Sequence, residues 1–168
     1  MCEMTISNGC FFIMLPLSVA VVSTPGTDLD AVAVLFDRYR VFYGQVSDLA
    51  LARQFLSQRV IEQQSIILVA KMADFKVGFA QIYPTFSSIH CCRTWVLNDL
   101  YLDKEYRSLG IGRALLQEII SLAKIANVQR ITLETAEHNF VAQKLYQQCG
   151  FIVESGFKSY ALVINPKI

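Results

Sequence analysis

The sequence predicts an α/β (α+β) fold, a mixed and largely antiparallel sheet flanked by helices on both faces. Three observations lead there. The 168-residue chain is 54% hydrophobic and 17% charged, enough apolar material for one sizeable core and too short for two ordinary domains. β-branched runs alternate with stretches of helical apolar spacing. Two of the strand-like runs meet at Ala73-Asp74, a connection tight enough for a hairpin.

The elements follow in order. Residues 1–16 read as an N-terminal extension, and residues 17–168 as the domain. The apolar run from Cys10 to Val22 lacks a preceding basic segment and is too short to span a bilayer, so it leads into a first strand near Leu17–Ser23. Turn residues from Thr24 to Asp28 start a helix over Leu29–Tyr43, which Gly44 ends. A second helix follows Asp48, with Leu49, Ala52, Phe55, Leu56 and Val60 on one side. Ser65–Met72 and Val77–Tyr83 are strands, Pro84–Ser88 a loop, and His90–Leu102 a long strand interrupted at Asn98-Asp99. An amphipathic helix carries Ile111, Leu115, Leu116, Ile119, Ile120 and Ala123 on its buried stripe. Arg130–Thr135 is a strand, His138–Cys149 a helix stopped by Gly150, and Phe157–Ile164 a closing strand.

The balance of 15 basic and 14 acidic residues gives no duplex-binding footprint, so neither nucleic acid nor membrane is expected as a partner. The five cysteines are odd in number and match no zinc spacing, which points to a reduced, cytoplasmic chain with no metal site. His90-Cys91-Cys92 makes a poor chelate if its residues alternate along a strand.

Chemistry concentrates between Asn98 and Leu116. A strand, a short polar turn, and then Arg107-Ser108-Leu109-Gly110-Ile111-Gly112-Arg113 open a helix. Free N–H groups and the dipole at a helix N-terminus suit a pyrophosphate, glycines let it approach the backbone, and Arg107 and Arg113 add charge. The Walker pattern fails because Gly112 is followed by Arg113-Ala114. The dinucleotide fingerprint fails because Leu115 holds the third glycine position, which also weakens a nicotinamide-dependent alternative. Asp99, in a run that is otherwise apolar, needs a partner or a wet cleft. It is either an acid facing a substrate amine or part of a bulge at which Asn98-Asp99 satisfies local backbone.

The segment from Asn98 to Leu116 resembles motif A of the GNAT superfamily of N-acetyltransferases. Glu134 to Phe151, with Asn139, Ala142, Leu145-Tyr146 and Gly150-Phe151 in order, resembles its motif B. The resemblance implies acetyl transfer from acetyl-CoA to a primary amine, a polyamine or lysine-like group among others, by direct attack in a ternary complex. A non-catalytic acyl-CoA-binding sensor is the alternative. It implies that the strand at Leu100, Tyr101 and Leu102 parts from its neighbour and pairs with the pantetheine arm. The amides of Arg107, Ser108, Leu109, Gly110, Ile111, Gly112 and Arg113 then hold the pyrophosphate, and Asn139, Ala142 and Tyr146 line the cofactor. By the same resemblance the Leu100 N–H is the oxyanion donor and Tyr146 the general acid. Asp99 and Asn98 meet the amine, Tyr39, Tyr43 and Phe86 wall the acceptor, and a homodimer is a frequent assembly. Tyr39 and Tyr43 also fit as plain core, and Tyr146 as a packing tyrosine.

Overall fold

The structure is a computed structural model and describes residues 16–156 and 158–164. Five strands form one sheet in the order β1-β2-β3-β4-β5: β1 Leu17–Val22, β2 Ile66–Met72, β3 Phe75–Ser87, β4 Cys92–Leu102 and β5 Arg130–Leu133. The first four pair antiparallel, and β5 joins β4 in parallel. Helices α1 (Thr27–Phe42) and α2 (Leu49–Ile61) lie between β1 and β2. Helix α3 (Ile111–Ile125) forms the β4-to-β5 crossover, and α4 (Phe140–Gln148) follows β5.

Strand alternation divides the core into two layers. Ile67, Val69, Phe79 and Tyr101 pack with Leu29, Val32, Phe36, Leu56 and Val60 of α1 and α2. Leu68, Ala70, Ala80, Ile82 and Leu97 pack with Ile111, Leu115, Leu116 and Ile119 of α3, and Leu145 and Tyr146 of α4 lean on that layer. The sheet is thus covered on both faces.

Several boundaries and faces differ from the sequence reading. β3 runs through Pro84 to Ser87, where a loop was expected. β2 begins only at Ile66, opposite Ile82, so Pro84 lies beyond it and its missing N–H breaks no ladder on that side. His90 and Cys91 belong to the turn before β4, with Cys91 at φ 48°, so strand alternation does not describe that trio. On α2 only Ala52, Leu56 and Val60 are buried; Leu49 is exposed and Phe55 partly covered. Ile120 is half-buried rather than core. The closing strand is absent from residues 158–164: Tyr160, Leu162 and Ile164 belong to a continuous apolar run, yet all are exposed and unpaired with the sheet. Phe157 and residues 1–15 of the extension lie outside the described residues.

Candidate active site

The site begins where two strands part. β4 and β5 pair from Thr94↔Arg130 to Leu97↔Leu133 and no further, while β4 continues to Leu102. At the parting point β4 carries a bulge. Gln81 pairs with Asp99 and Ile82 with Leu97, leaving Asn98 as the extra residue. A bulge resets strand parity, so Leu97 faces α3 while Asp99 and Tyr101 face α1. Asp103 N donates to Val77 O at 2.9 Å, which sets the alternation of the β3–β4 ladder. By that alternation Asp99 and Tyr101 bond toward β3, and Leu100 and Leu102 turn their N–H and C=O groups to the open edge. Leu102 O accordingly accepts from Arg107 Nε at 3.1 Å.

Beside that edge stands the N-terminus of α3. A short 3-10 turn, Lys104–Tyr106, leads to Ser108 at φ 63° and Gly110 at φ 81°, both left-handed. Gly110 takes this conformation without penalty, and nothing lies within 4 Å of where its Cβ would be. Among the described residues, no amide from Ser108 to Arg113 donates to a protein acceptor. These donors, at the positive end of a 15-residue helix, suit a diphosphate. The arginines are placed otherwise than expected: Arg107 lies over the rings of Tyr101 and Phe42, and Arg113 bonds Gln148 at 2.6 Å. Gly112 also packs closely, since a Cβ there would meet Leu145 Cδ2 at 3.0 Å.

Asn139 caps α4 by accepting from Ala142 N at 3.3 Å and reaches Thr135 Oγ1 at 3.4 Å. The end of α4 is a Schellman turn, with Phe151 N donating to Tyr146 O at 3.0 Å and Gly150 N to Gln147 O at 3.0 Å. This turn seats the Phe151 ring edge-on to Tyr146, centroids 5.9 Å apart.

On the acceptor side, Asp99 is 4% exposed, and Asn98 Nδ2 donates to both of its oxygens at 3.2 Å. The Tyr39 hydroxyl faces the same carboxylate without a hydrogen bond of standard geometry. Burial pushes the Asp99 carboxyl above the usual carboxylate range, opposed by Asn98 and then Tyr39. Burial and the Asp99 charge hold the Tyr39 phenol well above its ordinary value. Tyr146 is pushed up to about 12, first by burial and then by Tyr43. Tyr39 and Tyr43 meet edge to face at 4.9 Å. Tyr39 of α1 thus faces the β4 carboxylate, with Tyr43 at the α1 C-cap and Tyr146 of α4 near Tyr39. A cleft of about 1500 Å³ runs along the parting of β4 and β5, with Tyr39, Leu97, Asn98, Leu133, Thr135, Gln143 and Tyr146 on its walls. Phe86 is not part of this group: it is 77% exposed and pairs with Arg93 toward the far end of the β3–β4 hairpin.

The sequence reading passed over two residues that border Asp99. Gln81 is its cross-strand partner, and the Tyr83 phenol is raised by burial and by the Asp99 charge, with Arg59 opposing. The signal for Gln81 was present, as the one polar residue between Val77 and Ile82. Among the described residues no three His, Cys, Asp or Glu side chains gather as metal ligands, and no helix is long and apolar enough to cross a membrane.

Comparison with known proteins shows the family and the fold. The model of the Acetyltransferase (GNAT) family matches residues 31–151. A Bacillus subtilis (strain 168) protein named "Uncharacterized N-acetyltransferase YhfO" is 40% identical over 141 residues, covering 84% of this chain and 95% of its own. The B. subtilis (strain 168) "Spermine/spermidine N(1)-acetyltransferase" is 34% identical over 79 residues, 45% of this chain and 51% of its own. A crystal structure of a probable acetyltransferase superposes with a TM-score of 0.78 at 36% identity, covering 90% of this chain and 99% of that one.

Proposed function

The chain belongs to the acetyltransferase (GNAT) family, and from that premise we propose that it moves an acetyl group from acetyl-CoA to a primary alkylamine. The observation that carries this reading is the parting of β4 from β5 after Leu97 and Leu133. The open edge offers Leu100 and Leu102 backbone groups to the pantetheine arm, next to the free amides from Ser108 to Arg113.

The acceptor arrives as an ammonium ion and gives one proton to Asp99 or, through it, to water. The amine lone pair attacks the thioester carbonyl carbon, with the Leu100 N–H donating to the developing oxyanion. Collapse breaks the C–S bond, and the Tyr146 phenol supplies the thiolate with a proton. The amide nitrogen loses its second proton, so the sum is amide, free thiol and one proton from ammonium and thioester. Both acid–base groups suit their tasks: Tyr146 remains protonated at neutral pH, and a carboxylate with a raised pKa is a better base than an ordinary one.

A buried carboxylate faced by Tyr39 favours a cationic acceptor on an apolar stem, through charge and ring face together. The likeness to a protein named for spermine and spermidine supports a polyamine or lysine-like amine.

The test is free-thiol release from acetyl-CoA across a panel of primary amines, with product mass. Turnover with at least one amine is expected. Acetyl-CoA binding by thermal shift with no turnover on the whole panel would leave an acyl-CoA sensor as the answer instead.

A further inference from the structure

We propose that Gln81 is a second acceptor-recognition residue: its side-chain carbonyl and the Asp99 carboxylate together take the two N–H donors of a neutral primary amine. The lone pair is then left aimed at the thioester. This rests on the reading that an amine is acetylated beside Asp99.

Gln81 is completely buried. Its Nε2 donates to Ser65 Oγ at 2.8 Å, which fixes the amide plane. Its Oε1 is buried with no donor among the described residues. Buried polar atoms are nearly always paired, so an orphan acceptor here asks for a partner that the protein does not supply. The other such atom is Arg59 Nε, a donor whose guanidinium is held over the Phe55 ring at 4.8 Å.

Position makes the orphan informative. Gln81 is the cross-strand partner of Asp99, and paired residues project from the same face of a sheet. That face is shared with Phe79 and Tyr101, whose rings are 6.4 Å apart and pack under α1. No hydrogen bond joins Gln81 to Asp99, whose bonded partner is Asn98. Gln81 Oε1 therefore stands without a protein donor on the sheet face that also carries the Asp99 carboxylate, whose oxygens keep acceptor capacity beyond the Asn98 bonds.

A neutral primary amine carries two N–H bonds and one lone pair, and the two acceptors match the two bonds. A secondary amine brings a single N–H and leaves one buried acceptor unpaired. Sites built to bond a polar group reject analogues that lack it far more strongly than apolar pockets reject a methyl group.

The experiment compares kcat/KM for a primary alkylamine and its N-methyl derivative in wild type and in Gln81→Met, with KM for acetyl-CoA and the melting temperature measured alongside. Wild type should prefer the primary amine by about 30-fold or more. Gln81→Met should shrink that preference to within about threefold, raise KM for the primary amine and leave KM for acetyl-CoA unchanged. Equal use of both amines by wild type overturns the proposal whether or not the variant folds. A variant that keeps the wild-type preference overturns it too, leaving Gln81 only as a partner for Ser65. Absence of turnover with any amine in wild type overturns the parent reading itself, which separates the two failures.

Discussion

Leu97 and Asp99 are two positions apart on β4, yet they face opposite sides of the sheet. The extra residue, Asn98, opposes nothing on β3, because Gln81 pairs with Asp99 and Ile82 with Leu97. The inserted residue turns an acidic side chain that would have pointed into the α3 layer toward α1 and Tyr39. Asn98 then bonds both carboxylate oxygens at 3.2 Å. The bulge and the functional reading of Asp99 are therefore not rivals, since the first produces the geometry that the second uses.

The titration of Asp99 gives the first prediction. Its folded pKa lies above the unfolded value. The native state therefore binds more protons than the unfolded one, and stability falls as pH rises from the ordinary carboxylate range through the folded pKa. Asp99→Asn should thus melt no lower than wild type at pH 7, while losing most amine turnover. Asn98→Ala removes the larger of the two stabilising contacts to the carboxylate, so the acid limb of kcat/KM should move to higher pH. A melting curve for the first variant and a pH–rate profile for the second are the measurements. An unchanged acid limb would remove Asn98 from the site's chemistry.

Tyr146 gives the second. With its pKa pushed up to about 12, the phenol keeps its proton throughout the working range. Tyr146→Phe should lower kcat by about 100-fold, the size usual for a lost general acid, with KM for acetyl-CoA unchanged. The ring keeps its edge contact with Phe151, so the melting temperature should hold. Wild-type kcat should show no basic limb from this group below about pH 11. A variant with full kcat would leave Tyr146 as a packing residue of the helix end.

How much of this was legible in the sequence follows from how local each signal is. The α3 entry was readable because Gly110 marks a left-handed cap and the apolar stripe after it repeats at helical spacing. The interruption of β4 was readable because Asn98-Asp99 breaks an apolar run. The direction of Asp99 was not, because parity across a bulge depends on the register with β3. Tyr39, Tyr43 and Tyr146 come together from α1 and α4, a long-range meeting that spacing cannot encode. Phe86 was grouped with them through the family resemblance, as part of a loop before β4, and β3 instead carries it away from them. The apolar run from Tyr160 to Ile164 reads as a strand, but such a run does not specify which edge, if any, receives it.

Gly78 gives the third prediction. It was read as an ordinary strand residue, yet a Cβ there would sit 2.3 Å from Leu102 Cδ2 and 2.8 Å from Tyr101 O. The second contact is backbone and has no rotamer through which to move. Gly78→Ala should force β3 and β4 apart beside the site and cost about 3 kcal/mol, at the upper end for overpacking. Gly110→Ala meets no atom and should cost only about 1 kcal/mol for its left-handed backbone, with a raised KM for acetyl-CoA. Chemical denaturation of both variants checks the ranking, and the reverse order would contradict it.

Asp37 gives the fourth. It is a buried carboxylate on α1 that takes Ser47 Oγ at 2.5 Å, Asp48 N at 2.8 Å and Arg40 Nη1 at 3.0 Å. Asp48 is in turn the N-cap of α2, accepting from Leu51 N at 2.9 Å. One side chain thus ties the end of α1 to the start of α2, and α1 carries Tyr39 to the cleft wall. Burial alone would raise its pKa, but Ser47, the Asp48 amide and Arg40 outweigh that and hold it below the ordinary carboxylate value. The native state therefore binds fewer protons than the unfolded one. Its stabilising contribution is complete above the unfolded pKa and is lost as pH falls through the folded one. Asp37→Ala strands three donors and should cost about 3 kcal/mol near pH 7. For a chain of this length that corresponds to a Tm lower by roughly 10 °C. The gap between wild type and variant should narrow steadily once the pH drops below about 4. A gap of the same size at pH 7 and at pH 3 would show that the charge on Asp37 does not hold the two helices together.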